Sequence, residues 1–228
     1  MDSDGGKPSA SDERGEDLRT TLESERSEEL ALLGSERFRT AAAGGEPTAR
    51  ALLVAAAESE AAARATFAEW VTDEGDPGAR TAFESVVDQE TEHRERVAAE
   101  LDEWTPEDGA PGPMHAYLRG REATVERVAG GMVGRPLVSL RTHAQLIEFF
   151  ERRETDAADR RAALFRDLRA ETAGTLDDGL TLLAERCESE TAWETAELVA
   201  GYTIRLAHDD TADALRSLGV DPAVGDDS

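Results

Sequence analysis

"DQETEH", Asp88 to His93, sets a glutamate and a histidine three residues apart inside a strongly acidic run. Around it the bulky apolar residues fall at Phe83, Val86, Val97, Leu101 and Trp104. Spacings of three and four mark one face of a helix turned to a core. Carried through the gap, that face passes Glu90 and His93, while Glu84, Asp88, Glu92 and Glu95 mostly fall on other faces. A carboxylate taken into a core needs a partner, and a metal ion suits Glu and His at this spacing. The competing reading is an acidic helix on which His93, at the core edge, bonds to Glu90.

Working outward, the helical period runs almost throughout from Glu16. Helices are predicted at 16–42, 47–74, 77–104, 136–154, 156–187 and 189–218, with a broken segment at 112–134. Their junctions carry the breakers "GGEP", "DEGDPG", "TPEDGAPGP" and "GGMVGRP". No stretch alternates at period two, so no sheet is expected. Long amphipathic helices joined by short turns pack as an antiparallel bundle. The chain is therefore read as one all-α domain over 16–218, with a disordered acidic arm at 1–15 and a flexible tail at 219–228.

Composition agrees with helices. Hydrophobic residues make up 39% of the 228 and aromatics only 5%, so the core is built mainly from Ala, Leu and Val. Asp and Glu number 50 against 25 Lys and Arg, a net charge of -25, and Lys7 is the sole lysine. Acid spread along the whole chain with almost no lysine resembles proteins of salt-loving archaea, whose self-repulsion is screened where the Debye length falls to about 3 Å. Such a field opposes nucleic-acid phosphate. Cys187 is the single cysteine, which excludes an internal disulfide and a CxxC site for zinc or rubredoxin-type iron. The polar N-terminus has no apolar signal region, and no run of 18 apolar residues suggests a membrane span, so a cytoplasmic location is expected.

A metal ligand on 77–104 needs company from the facing helix, where Glu58 and Glu60 are the candidates. Leu53, Ala56, Phe67 and Trp70 form the bulky stripe there, and it passes through Glu60. Glu58 lies on a stripe of small residues: Ala51, Val54, Ala55, Ala61, Ala62 and Ala65. Roughly 200° separates the two glutamates around the axis, so one helix hardly aims both at one ion. Periodicity prefers Glu60.

"ESEAAARATFAEW" (Glu58 to Trp70), a short acidic turn and then "DQETEH" resemble the first helical hairpin of the rubrerythrins, in the ferritin-like superfamily. The resemblance covers 58–97. It implies a ferritin-like bundle with additional N- and C-terminal helices, Glu58 as the lone helix ligand with Glu90 and His93 beside it, iron or manganese as the metal, and peroxide or dioxygen chemistry. One cysteine cannot build a rubredoxin domain, so a separate electron donor would be required; a homodimer is the other partner considered. The family's two-metal site takes a second lone Glu and a second E-x-x-H from two further helices. Here Glu90–His93 is the one E-x-x-H in the chain. In "LFRDLRAETAGTL", Glu171 resembles the second motif's glutamate, but Gly174 stands where its histidine belongs. The stripe Phe165, Leu168, Thr172, Leu176, Leu180, Leu183 misses Glu171, which is expected to matter little. Glu148, Glu151 and His143 lack convincing spacing for the remaining ligand. His115, His143 and His208 are read as surface or capping residues, Cys187 as a small core residue, and "GGMVG" as unsuited to phosphate.

Two functions follow. The first is a rubrerythrin-like protein for metal-dependent redox or iron handling, with an atypical or partial site at Glu90, His93 and Glu58 or Glu60. The second is a degenerate, non-catalytic bundle acting as a binding or scaffold protein.

Overall fold

The computed structural model of the chain describes residues 10–102, 104, 105 and 111–223. Among them there is no strand; the protein is an all-α helical bundle. Most of the N-terminal arm expected to be disordered, and the end of the C-terminal tail, lie outside the described residues. The first helix, α1 (Ala10–Glu25), nevertheless starts within that arm. The single helix expected over 16–42 is broken twice, giving α2 (Ser27–Leu33) and α3 (Glu36–Ala42). At the second break Gly34 ends α2 and the Ser35 hydroxyl donates to the Leu32 carbonyl, satisfying one of the acceptors a helix end leaves open.

Two hairpins make the bundle. In the first, α4 (Ala49–Asp73) turns into α5 (Pro77–Ala98), which stops short of the expected residue 104. Thr48 caps α4 through the Ala51 amide, and Asp76 caps α5 through the Ala79 amide with Pro77 in the first turn, where its missing N–H costs nothing. Arg50 bonds the Asp102 carbonyl, Arg64 bonds Thr91, and Phe67 meets Phe83, the falling register of an antiparallel pair. The second hairpin joins α8 (Arg135–Glu151) to α9 (Asp156–Arg186), with Phe150 stacked on Phe165 and Arg169 reaching the Leu140 carbonyl. Across the hairpins, α5 meets α9 through Gln89–Thr175 and His93–Glu171, also antiparallel. So α5 and α8 run the same way, and the chain between them crosses over through α6 (Pro113–Arg119) and α7 (Thr124–Arg127). Packed against the crossover lies α10 (Glu190–Ser217), with Tyr202 edge-on to Tyr117.

The run "GGMVGRP" is not the break its composition suggests. Val128–Gly134 forms a π-helical segment that joins α7 to α8 without interruption. Pro136 has no N–H for the carbonyl four residues back and its ring crowds that carbonyl, a conflict that a widened turn accommodates. The glycines serve close approach. A Cβ on Gly131 would stand 2.6 Å from Trp70 Cζ3, and one on Gly134 2.7 Å from the Ala200 carbonyl oxygen.

Two large apolar cores lie along the bundle, beside a small cluster of Leu32, Ala212 and Leu215. One gathers Phe67, Trp70, Phe83, Val86, Leu176 and Leu180; the other gathers Leu53, Val97, Phe149, Phe150 and Phe165. On the four helices of the two hairpins buried polar residues gather near the level where these cores meet: Glu60 on α4, Glu90 and His93 on α5, Arg135 and His143 on α8, Thr172 and Thr175 on α9. Among the described residues the buried acids are Glu60, Glu74 and Glu90; the rest are partly or fully exposed. No helix among the described residues is long and apolar enough to cross a membrane.

Candidate metal centre

Glu60, Glu90 and His93 meet in the polar layer. Their side chains bring ligand atoms within 4.8 Å of one another, all buried, and this group could hold a metal ion. Helical phase puts them there: Glu90 and His93 share a stripe with Phe83, Val86 and Val97, and Glu60 shares one with Ala56, Phe67 and Trp70. Glu58, which the family resemblance implies, points from the exposed side of α4 instead.

Into the same layer comes a residue that the sequence did not announce. Arg135, 2% exposed, donates from Nη1 to Glu90 Oε1 at 2.9 Å and from Nη2 to Glu60 Oε2 at 3.2 Å. The expected break at 112–134 had left Arg135 at a junction. Extended across it, the stripe Arg135, Ser139, His143, Leu146, Phe150 has spacings of four, four, three and four and is buried throughout. His143, expected at the surface, is likewise buried, with Nε2 3.4 Å from Glu60 Oε1.

Glu171 corrects a second expectation. It lies off its own core stripe, yet its Oε2 sits 2.6 Å from His93 Nε2 and its Oε1 3.0 Å from Arg96 Nη1. A long side chain reaches back over the helix edge. Because a carboxylate accepts, His93 donates from Nε2, which leaves Nδ1 as a bare lone pair, buried and without a hydrogen-bond partner among the described residues. A carboxylate fixing the tautomer of an inner histidine is the support that metal-ligating histidines receive.

The electrostatics follow from burial. Desolvation lifts the Glu90 carboxyl to about 8; Arg135 opposes this, and Glu60 adds to it. Among the described residues no partner reaches Glu90 Oε2. Burial pushes His143 down to about 4 and lowers His93 as well, although Glu90 and Glu171 pull His93 the other way. Partial burial works to raise Glu171, but the hydrogen bond to His93 and the Arg96 guanidinium outweigh it and hold the carboxyl below its usual range.

A groove of about 690 Å³ opens beside the cluster, with Glu58 and Arg64 on α4, Arg94 on α5 and Arg119 on α6 among its lining, and it includes Glu60 and His143. His115, expected at the surface, is buried on its wall and pairs through Nδ1 with Thr66 Oγ1 at 3.2 Å. His208 is half-exposed and bonds Asp209, as a surface histidine does.

Comparisons with known protein-family models, with curated proteins and with solved structures find no match. The chemistry is therefore judged on the donor set alone. Two carboxylates and one histidine fit a single ion. A two-metal centre does not fit. Where a second glutamate and a second E-x-x-H would stand, α8 supplies a guanidinium with a lone histidine, and α9 turns Thr172 and Thr175 inward and Glu171 outward.

Proposed function

We propose that this chain is a rubrerythrin-like member of the ferritin-like superfamily that keeps the bundle but has lost the two-metal redox centre, and that it serves as a binding or scaffold protein. The observation that carries this is Arg135, buried and shared between Glu60 and Glu90. Family membership is supported by two hairpins joined through one long crossover, the connectivity of ferritin-like bundles, and by the hairpin motif over 58–97. The groove beside the cluster supplies a concave surface for a ligand. The net charge of -25, placed almost wholly outside the core, supports a salt-adapted origin and a cytoplasmic setting.

A second reading keeps a metal function: one iron or manganese held by Glu60, Glu90 and His93, with an external electron donor. The unpartnered His93 Nδ1 favours it. Metal content and peroxide turnover of protein purified in molar potassium chloride separate the two. The expected result is iron and manganese far below one per chain and no turnover. Two tightly held irons with peroxidase activity would refute the loss of the centre.

A further inference from the structure

We infer that Arg135 is the resident cation of the centre: its guanidinium supplies positive charge between Glu60 and Glu90 where a metal ion would lie, and divalent metal competes with it for the same carboxylates. The inference rests on the reading that the two-metal centre has been lost, and it explains how the remaining ligands stay buried without metal.

Two carboxyl groups within ligand distance of each other in a core repel unless a cation lies between them. Arg135 is that cation. Both of its Nη atoms are spent on Glu60 and Glu90, and its Nε has no partner among the described residues. The side chain is not on a loose segment. It follows the π-helical turn directly, Pro136 fixes the backbone after it, and Gly134 before it is packed against the Ala200 carbonyl. The rest of the site retains the preparation of a ligand set. Glu171 holds His93 with Nδ1 bare, and Glu90 Oε2 and His143 Nδ1 are buried without a hydrogen-bond partner among the described residues. A divalent ion entering here would meet the guanidinium charge at contact distance, so the two exclude one another.

Removing the guanidinium should therefore create metal affinity. Arg135→Met keeps an unbranched apolar stem in the core, removes the guanidinium and its charge, and leaves the space between Glu60 and Glu90 open. Wild type and variant are dialysed against manganese(II) in molar potassium chloride, then desalted for metal analysis and thermal melts. Expected for the variant is one manganese per chain and a melting temperature that rises by several degrees with manganese and falls again with chelator. Methylguanidinium at millimolar concentration should also raise it, and methylammonium should raise it less. Wild type should take up almost no manganese, and its melting temperature should not respond to manganese or chelator. A variant that gains no manganese overturns the inference, as does a wild type that binds manganese as tightly as the variant. Should Arg135→Met fail to fold without ions, the readout becomes the fraction refolded from urea. Recovery only with manganese supports the inference; equal recovery with and without manganese, including none in either, overturns it. Failure of the underlying reading looks different: wild type would carry two irons and turn over peroxide.

Discussion

Replacing His115 by asparagine should change how stability depends on pH, and by an amount that the structure sets. The Thr66 hydroxyl donates to the Ala62 carbonyl at 2.9 Å, so toward His115 it only accepts. His115 must then donate from Nδ1, and Nε2 is a buried lone pair with no partner among the described residues. Protonating Nε2 would place a positive charge on a desolvated ring near two arginines. Burial first, then Arg135 and Arg119, push the group down from 6.5 to about 3. The folded state thus prefers the neutral ring. Its contribution is complete above the unfolded value near 6.5 and is lost as pH falls toward 3. Over that whole window it amounts to about 5 kcal/mol, and between pH 7 and pH 4 to about 3 kcal/mol. In His115→Asn the amide nitrogen replaces Nδ1 as donor to Thr66 and takes no proton. Acid also discharges the many surface carboxylates, which raises or lowers both proteins alike. Urea unfolding of both in molar potassium chloride at pH 7 and pH 4 gives the difference. Wild type should lose about 3 kcal/mol relative to the variant on acidification. A difference between the two proteins that stays constant to within about 1 kcal/mol would refute the buried neutral tautomer.

Gly131→Ala should lower stability by about 1–3 kcal/mol, because its Cβ would overlap Trp70 and Phe67, neither of which has room to move; an unchanged melt and near-ultraviolet circular dichroism would contradict that packing. The melting temperature should rise from low salt to molar potassium chloride, since screening relieves the repulsion of a net charge of -25. A flat or falling profile would remove the salt-adapted reading.

Much of the fold was legible because α-helical phase is local information. Breakers at "DEGDPG" bound the first hairpin, and the stripe through Glu90 and His93 led into the core. The same stripe logic separates Glu60, which lies in the cluster, from Glu58, which lies on the surface. Arg135 escaped for two physical reasons. Glycines packed for close approach look like glycines that end a helix. A π turn, moreover, shifts the phase on which stripe reading depends. His143 lies well inside the helix expected at 136–154 and was readable by extending the stripe back from Leu146 and Phe150; its lack of ligand-spaced neighbours on its own helix set it aside. Glu171 stood out by its resemblance to the second motif's glutamate and was set aside because its own stripe misses it; its contact with His93 on α5 crosses the bundle and leaves no trace in the phase of α9.

The cluster also has a consequence for the order of folding. Glu60, Glu90 and His93 belong to the first hairpin, whose contacts are close in sequence, whereas Arg135 and His143 arrive with the second. A first hairpin formed alone would hold two carboxyls together with no counter-charge, and acid would favour it over neutral solution. Docking of the second hairpin supplies the guanidinium, buries both apolar cores and closes the site in one step. Assembly of the two halves should therefore be the step most sensitive to Arg135, and hairpins docked one turn out of register would leave Glu60 and Glu90 facing hydrocarbon.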